Sequence, residues 1–418
     1  MVYCASEATL EPCPHGSEET RCASASIREQ YEKHVLEEKS DFEKYLVYRT
    51  PGLTEGGWGN RVNALLASFT FAIVTGRHFL LDWGDDATLK RHTSHCSFPF
   101  LEPPGILWDI GQHYEHFDLS MFKNGVSEFS SPSHRWRVSD TQSRSVGPGS
   151  WRLLKHTREF NLGAFLREEK LKDLTQQYIF VENGFDFTQD LVANPQLRET
   201  WESLLGPSAL SASEWSSYAM HFLFSRPSAD MQAMVSEFKA AHNWHAQPVW
   251  GVQIRTLGIE SSQPMVGQII DHADLTWECV REALSQYQAK QGESNENNIT
   301  SPTPLIYFAS DMPELGERLE AYLEGAASVI QVLKDPGSAV HSSTSDDCKA
   351  VHNTIVDWFL LGETSVMVEN CYRIRRSTFP ESAGKRGGMK LEGGVKTCGR
   401  CTWSVNKKVL SRGGHTEL

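Results

Sequence analysis

The sequence predicts an α/β protein whose two domains face each other across a cleft. At 418 residues the chain is too long for one ordinary hydrophobic core. Near its start, an apolar strand, a glycine-rich turn, an amphipathic helix and a second apolar strand follow one another, which is the order of a βαβ unit. In the second half, short apolar strands alternate with amphipathic helices, and this alternation is typical of doubly wound parallel sheets.

We expect four segments along the chain. Residues 1–42 are polar and charge-rich, and they are predicted to form a leader or stem. Residues 43–240 are predicted to form an N-terminal α/β domain and residues 241–390 a C-terminal domain built on a parallel sheet. Residues 391–418 are predicted to be a C-terminal tail.

The first domain opens with the βαβ unit. Its helix, at about 61–75, places five apolar residues on one face and is followed by Gly76, a natural stop. Further along, residues 177–182 are predicted to be a strand, and helices follow between 194 and 240. The stretch 85–175 gives no clear prediction beyond a loop at about 127–150. The five apolar helix positions are Val62, Leu65, Leu66, Phe69 and Ile73.

The second domain is predicted more completely. The predicted strands are 248–255, 305–309, 328–333 and 365–368, and the predicted helices are 275–287, 313–324 and 347–361. In a doubly wound sheet, ligands bind beyond the carboxyl ends of the strands. Those ends carry Arg255, Ser310, Asp311 and the segment after Val368.

Composition excludes some classes of function. The formal net charge of −13 argues against a nucleic-acid surface, so an anionic ligand would need a focused group of arginines. No apolar run of about 18 residues occurs, so no membrane span is predicted. The first residues lack the pattern of a signal peptide, which leaves a cytoplasmic protein or a chain without an upstream anchor.

The nine cysteines leave the redox compartment open. One cysteine is left unpaired if the other eight form disulfides. The single Cys398-Gly-Arg-Cys401 motif is weak evidence for zinc. Disulfides or free thiols are favoured over a metal. Asn298-Ile-Thr300 is one glycosylation sequon, which fits secretion but is common by chance.

The glycine-rich turn at 56–61 is the most informative feature of the sequence. Its glycines allow a tight turn and a close approach to a ligand. The helix that follows presents free N–H groups, and Arg61 adds a planar, charged fork suited to phosphate. This combination indicates an anion site, and the alternative is an ordinary turn between a strand and a helix.

Two strand ends in the second half carry further candidates. Arg255 follows a strand and opens a glycine-containing loop, where a charged residue can meet a ligand, and the alternative is an exposed loop arginine. Ser310 and Asp311 end the next strand just before Pro313. Their alternative role is helix capping, because serine and aspartate are common caps and proline is common at a first turn.

A third candidate lies near residue 377. Ser377, Thr378 and Phe379 are predicted to begin a helix whose hydroxyl and N–H groups face a phosphate. Arginines at 373, 375 and 376 precede them as the densest basic cluster of the chain, with a solvated face as the alternative. The sequence Gly384-Lys-Arg386 lacks the flanking residues of a phosphate loop and is rejected as one.

Several common catalytic patterns are missing from the sequence. It contains no Gly-x-Ser-x-Gly nucleophile motif and no His-Glu-x-x-His zinc motif. It also has no Asp-x-Asp pair in a loop, the usual way to hold a divalent metal on a sugar nucleotide. We therefore predict no metal site, and a bound diphosphate would be neutralised by arginines and helix N-termini.

Together these motifs resemble a known family. Residues 57–61, Gly-Trp-Gly-Asn-Arg, and the strand Phe79-Leu-Leu-Asp82 look like the N-terminal motif of GDP-fucose-dependent fucosyltransferases. The plant xyloglucan α-1,2-fucosyltransferases are most similar, and α-1,6- and protein O-fucosyltransferases share features with them. Gly251-Val-Gln-Ile-Arg255-Thr256 resembles the strand whose arginine binds the donor β-phosphate. Phe308-Ala-Ser-Asp311 resembles the strand whose aspartate helps hold the guanosine, and residues 357–361, 368 and 377–379 resemble the last donor-binding segment.

The resemblance implies a fold and a reaction. The fold would be GT-B-like, with two Rossmann-type domains, the N-terminal one on the acceptor side and the C-terminal one binding the donor. The reaction would be a metal-independent, inverting transfer of fucose from GDP-fucose to a glycan or glycoprotein, without a cofactor. Golgi location is implied if an anchor is missing from this chain, and cytoplasmic location otherwise.

The resemblance also implies roles for individual residues. Arg255 would be catalytic, and Glu260, in the loop after it, is the candidate general base. The implied donor-binding residues are Gly57, Gly59, Asn60, Arg61, Gln253, Arg255, Ser310, Asp311, Ser377, Thr378 and Phe379.

One departure from the family leaves alternatives open. Residues 369–376 intervene between the last strand and Ser377, either as an insertion or because residues 370–373 take over the phosphate role. Two other functions therefore remain open. The chain could act on protein like an O-fucosyltransferase, or it could hold a nucleotide or glycan without turnover.

Overall fold

The structure is a computed structural model that describes 240 of the 418 residues, in two compact units. The first unit comprises Met1–Pro51, Arg61–Arg91 and Glu102–Arg226, and the second comprises Gly52–Asn60, His92–Leu101 and Pro227–Leu418. Within these, the described residues are 27–29, 31–32, 43–49, 57–83, 98–103, 106, 108, 151–155, 161–205, 212–255, 266–293, 302–332, 348–369, 377–387, 390–392 and 402–405.

The first unit contains a four-stranded sheet in which all strand pairs are parallel. The strands are β1 (Tyr45–Arg49), β2 (His78–Asp82), β3 (Trp151–Lys155) and β4 (Tyr178–Glu182), in the spatial order β2-β1-β4-β3. Strands β1 and β4 are buried along their whole length, as expected for a parallel sheet covered on both faces. The sequence predicted β1, β2 and β4, whereas β3 was not recognised.

Helix α1 (Trp58–Val74) connects β1 to its parallel neighbour β2, which confirms the predicted βαβ unit. Helix α1 is buried on nearly all sides, so its buried surface is wider than the single apolar face that the sequence indicated. The other helices of this unit are α2 (Leu162–Glu168), α3 (Thr188–Val192), α4 (Arg198–Leu205) and α5 (Ala212–Leu223).

Part of the expected leader packs on the core of the first unit. Ile27 and Tyr31 are buried, and the Tyr31 ring stacks on Phe69 with 6.1 Å between ring centroids. The Tyr31 hydroxyl accepts a hydrogen bond of 3.1 Å from the backbone N–H of Phe79 on β2. These residues are therefore integrated with the sheet.

The second unit contains a six-stranded sheet of spatial order β7-β6-β5-β8-β10-β9. Its strands are β5 (Val249–Ile254), β6 (Leu305–Ser310), β7 (Val329–Ile330), β8 (Val366–Glu369), β9 (Lys390–Glu392) and β10 (Thr402–Val405). Strands β5 to β8 pair in parallel, and β10 pairs antiparallel with both β8 and β9. The helices are α6 (Ala229–Ala241), α7 (Val266–Glu293), α8 (Glu314–Leu323), α9 (Cys348–Leu361) and α10 (Thr378–Gly387).

Both faces of this second sheet are covered. One face packs Trp250, Val252 and Phe308 against α7 and α8 in a continuous apolar core. On the other face, the Tyr307 ring lies edge-on to Phe238 of α6, with 5.7 Å between centroids. This two-sided burial explains why β5 and β6 are mostly apolar along their length instead of alternating between apolar and polar residues.

The structure differs from the expected element bounds at several places. Helix α7 is longer than predicted and β7 is shorter. Helix α6 belongs to the second unit because it packs on α9, although the sequence placed it before the boundary at 240. The expected tail at 391–418 contributes β10, a short strand held by pairing with β8 and not by an apolar run.

A buried carboxyl group makes the stability of the second unit depend on pH. The Tyr307 hydroxyl donates a hydrogen bond to Oδ1 of Asp357 on α9, and both side chains are buried. Burial raises the pKa of Asp357 to about 7, although the hydrogen bond from Tyr307 opposes the rise. The folded state thus binds this proton more tightly than the unfolded state, where the pKa is about 3.9.

We expect this group to stabilise the fold most below about pH 4 and to lose that contribution as the pH rises to about 7. Asp357→Asn keeps an oxygen acceptor for Tyr307 but has no titrating carboxyl. The melting temperature of the variant relative to the unchanged chain should therefore rise between pH 5 and pH 8. A difference that stays constant across this range would contradict an ionising Asp357.

Candidate functional site

Trp58 fixes the glycine-rich turn within an aromatic cluster of the second unit. Its side chain is 2% exposed. The ring stacks on Phe100 with 6.1 Å between centroids and lies edge-on to Trp358 of α9 at 5.7 Å. Phe100 in turn stacks on Phe359 at 6.3 Å. The start of α1 is thereby held against α9.

Gly59 lies directly against the start of α10. A Cβ atom at this position would be 2.6 Å from the backbone nitrogen of Phe379 and 2.6 Å from the carbonyl carbon of Thr378. No side chain fits at such distances. The glycine is therefore required by the contact between two helix N-termini, whereas the sequence suggested close approach to a ligand.

A side-chain hydrogen bond joins the same two helix starts. The Thr378 hydroxyl donates to Oδ1 of Asn60 over 2.6 Å, although the two residues are 318 positions apart in the chain. The Asn60 backbone N–H also donates to the carbonyl of Gly57 over 3.1 Å. The predicted residues Gly57, Gly59, Asn60, Thr378 and Phe379 thus form one group, and the predicted helix start near residue 377 is confirmed.

This group presents hydrogen-bond donors suited to an anion. The first turn of a helix has backbone N–H groups without intrahelical partners, and here two such turns meet. The buried hydroxyl oxygen of Ser377, the residue before α10, has no hydrogen-bond partner among the described residues. Pro380 is tolerated in the first turn of α10 because an N–H there needs no partner within the helix.

Arg61 follows Asn60 on α1 and belongs to the first unit. Its side chain is 2% exposed, and Nε and Nη2 have no hydrogen-bond partner among the described residues. Burial lowers the pKa of Arg61. The Tyr48 hydroxyl donates to the Arg61 carbonyl over 3.3 Å, which fixes the backbone here. Buried donors without acceptors are costly to the fold, so they call for a functional explanation.

The carboxyl ends of β5 and β6 form a second group of predicted residues. Gln253 pairs in register with Ala309, and its buried Oε1 has no hydrogen-bond partner among the described residues. Arg255 follows β5 directly and is partly buried. These residues stand at the edge of the sheet where a doubly wound fold binds its ligands.

Ser310 has a local structural role. Its hydroxyl accepts a hydrogen bond of 3.0 Å from the backbone N–H of Met312, which supports the capping alternative for this residue. Asp311, the next residue, is partly exposed. Glu260 and the arginines at 373, 375 and 376 lie outside the described residues.

The chain is similar to plant fucosyltransferases in sequence and structure. It is 22% identical over 403 residues to "Probable fucosyltransferase 7" of Arabidopsis thaliana, covering 90% of this chain and 68% of that protein. A mutant of Arabidopsis thaliana FUT1 in complex with GDP superimposes with a TM-score of 0.55 at 17% identity, covering 94% of this chain and 84% of that one. The chain has the GT-B-type fold of the GDP-fucose-dependent fucosyltransferases.

This likeness in sequence and fold agrees with the resemblance seen in the motifs. A weaker structural likeness is to the NodZ α-1,6-fucosyltransferase of Bradyrhizobium, at 13% identity and a TM-score of 0.48 over 87% of this chain and 100% of that one. That score is too low to support an argument. No protein-family model matches the chain.

The described residues contain neither a cluster of metal ligands nor a membrane-spanning helix. No group of three or more histidine, cysteine, aspartate or glutamate side chains there could hold a metal ion. None of the helices there is both long enough and apolar enough to cross a membrane.

Sequence reasoning missed the residues that hold this part of the fucosyltransferase fold together. Trp58 was read only as part of the glycine motif, although its burial positions the turn. Trp358 donates through Nε1 to the Ser382 hydroxyl over 2.8 Å, which joins α9 to α10. The available signal was that Trp58 and Trp358 each lie within a motif that resembles the fucosyltransferases, but only the fold brings the two side chains together.

Gly59→Ala is expected to weaken GDP binding at least about tenfold, because a misplaced binding group loses most of its contribution. The added methyl group would force the backbone of Thr378 and Phe379 away from α1. Calorimetric titration with GDP measures the loss. Gly325→Ala is the control: it strains a residue with a φ of 82° but meets no atom within 4 Å, so it should lower the melting temperature and keep GDP affinity. Equal losses of affinity in both variants would contradict the specific role of Gly59.

Proposed function

We propose that this chain transfers fucose from GDP-fucose to a glycan acceptor and holds the diphosphate at the N-termini of α1 and α10. The observation that carries the proposal is the contact of Gly59 with Thr378 and Phe379, which brings two helix N-termini to one place. The fold shared with FUT1, a protein solved in complex with GDP, supports the same ligand.

Electrostatics favour a diphosphate at this place. Each helix N-terminus carries roughly half a positive charge, and backbone N–H groups there bind phosphate oxygens. The Ser377 hydroxyl, which has no partner among the described residues, can donate to the same ligand. Arg61 offers a buried fork that matches phosphate geometry.

We propose that Arg255 contributes most to stabilising the transition state. As the sugar leaves, negative charge develops on the GDP diphosphate, and fixed donors that meet this charge lower the barrier. Arg255 stands at the end of β5, where a loop begins and a ligand can approach. A cation at this position acts on the departing diphosphate without a metal ion.

The guanosine is assigned to the ends of β5 and β6. Asp311 is partly exposed there, and its carboxylate can accept hydrogen bonds from guanine N–H groups or ribose hydroxyls. Gln253 provides a buried amide oxygen without a partner among the described residues. We assign Ser310 the weaker role, since its hydroxyl already serves the backbone of Met312.

The transfer is proposed to proceed by a single displacement that inverts the anomeric carbon. A β-linked donor sugar then gives an α-linked product, and the acceptor hydroxyl loses its proton to a general base. Glu260, five residues after Arg255, is the candidate base. The N-terminal domain is assigned to the acceptor.

The Golgi lumen is the proposed location. Cys279 of α7 and Cys348 of α9 are both disulfide-bonded. Disulfides persist in the secretory pathway and are rare in the cytosol, so they favour a lumenal enzyme.

The proposal is tested by incubating the chain with GDP-fucose and a panel of glycans, with release of GDP and the product anomer read by NMR. An α-fucosylated glycan together with free GDP is expected. Transfer only to folded protein acceptors would favour an O-fucosyltransferase-like enzyme. If the chain binds GDP but releases none from GDP-fucose with any acceptor, it is a binding module, and the proposal is overturned.

A further inference from the structure

Arg386 anchors the C-terminal end of α10. Its side chain is 4% exposed, and its guanidinium carbon lies 3.7 Å from the centre of the Phe359 ring. Nη2 donates a hydrogen bond of 2.7 Å to the Phe359 carbonyl at the end of α9. Arg386 thus contacts both the ring and the backbone carbonyl of Phe359 on the neighbouring helix.

Glu363 connects this anchor to a third helix. One carboxylate oxygen lies 3.6 Å from Nη2 of Arg386, and the other pairs with Lys239 of α6. Burial lowers the pKa of Arg386, and the charge of Glu363 opposes that shift. Glu363, two residues after the end of α9, therefore holds the ends of α6 and α10 by opposite charge.

Helices α9 and α10 are in close backbone contact beside this charge pair. A Cβ atom on Gly387 would lie 1.8 Å from the Gly362 carbonyl oxygen, and one on Gly362 would lie 2.6 Å from the Ala383 carbonyl oxygen. Only glycine is compatible with such distances. The position of α10 along α9 is consequently set by backbone contact, and Arg386 fixes its rotation through a planar group.

We infer that Arg386 and Glu363 are positioning residues that hold the N-terminus of α10 in place for the donor diphosphate. The inference rests on the proposed function, because it assumes that this N-terminus binds GDP-fucose. Thr378 begins α10 and Arg386 nearly ends it, about 12 Å apart along a rigid helix. A tilt at the Arg386 end therefore displaces the Thr378 end, which meets Asn60 over 2.6 Å.

A purely structural role makes a different prediction. If Arg386 only stabilised the fold, its replacement would lower the melting temperature and leave the kinetics of the folded fraction unchanged. A positioning role lowers kcat at saturating acceptor, since misplacement of about 1 Å far from the reacting atoms can reduce rate about 10²-fold. The acceptor KM should stay unchanged because the residue does not meet the acceptor.

The experiment compares Arg386→Lys and Glu363→Gln with Arg77→Lys. Lysine keeps the charge of Arg386 but loses the planar fork and the stacking on Phe359. Arg77 is the matched control in the first unit: it is 1% exposed and donates to the carbonyls of Gln176 and Leu174 over 2.8 and 2.6 Å. Glu363 is partly exposed, so Glu363→Gln keeps the comparison possible if Arg386→Lys does not fold.

GDP binding by the unchanged chain is measured first by calorimetry, and its absence would overturn the proposed function itself. Where GDP binds, amide hydrogen exchange of residues 377–382 is followed with and without GDP, together with kcat. We expect GDP to protect these amides in the unchanged chain and in Arg77→Lys, and much less in the other two variants, with kcat lowered about 10²-fold in Arg386→Lys. If amide protection and kcat of Arg386→Lys match those of the unchanged chain, the positioning role is overturned and the proposed function stays intact. The same comparison is made with Glu363→Gln if only that variant folds.

Discussion

Arg255→Ala is expected to lower the turnover of GDP-fucose roughly 10²-fold or more while the fold stays intact. Arg255 stands at the carboxyl end of β5, beyond the apolar core that β5 shares with α7 and α8. Its removal therefore takes away a cation at the developing charge of the leaving diphosphate, with little effect on packing. Release of GDP in a coupled assay measures turnover, and the melting temperature reports the fold.

Two matched variants sharpen this test. Arg255→Lys keeps a point charge but not the planar fork, so an intermediate rate is expected. Arg281 of α7 stacks on Tyr322 with 4.6 Å to the ring centre, in the same unit but away from the ends of β5 and β6. Arg281→Ala should leave turnover unchanged. Undiminished turnover in Arg255→Ala would rule out the mechanism.

Arg61→Met is expected to raise the melting temperature and to reduce transfer about 10²- to 10³-fold. The guanidinium of Arg61 is buried, and Nε and Nη2 find no acceptor among the described residues. An apolar side chain of similar length removes this desolvation penalty, and such replacements are often stabilising by about 1 kcal/mol or more. The same replacement removes the fork that would meet the diphosphate. Thermal unfolding and fucose transfer are measured on the same sample.

Arg77→Met is the control for Arg61→Met. Arg77 is equally buried, but its Nη1 and Nη2 atoms donate to the Gln176 and Leu174 carbonyls. Its loss leaves buried acceptors without donors, so the melting temperature should fall while GDP affinity is kept. A loss of stability in Arg61→Met comparable to that in Arg77→Met would show that Arg61 serves the fold and not the ligand.

The parallel strands were predictable because both faces of each sheet are buried. Residues 45–48 and 305–309 are apolar without interruption, and such runs identify central strands. Strands β3, β9 and β10 were missed because they depend on pairing with strands that are distant in the sequence. Pairing over such separations leaves little trace in local composition.

The candidate site was predictable only in part. The glycine turn and the helix start at Thr378 each carry a local signal, namely glycines before a helix and hydroxyl residues at an N-terminus. Their contact across 318 positions could not be predicted, and it adds helix packing to the predicted role of Gly59 in ligand approach. The role of Arg386 was not predicted. Its sequence neighbours suggest at most an incomplete phosphate loop, and nothing in them indicates the contact with the Phe359 ring.

Calorimetric titration of the unchanged chain with GDP, GDP-fucose, GMP and UDP tests the central claim most directly. If the N-termini of α1 and α10 hold a diphosphate and the ends of β5 and β6 hold guanosine, GDP and GDP-fucose bind most tightly. GMP then binds more weakly for want of the second phosphate, and UDP binds more weakly for want of the guanine. Equal affinity for GDP and UDP would contradict the assignment of the base, and no binding of any guanine nucleotide would contradict the account as a whole.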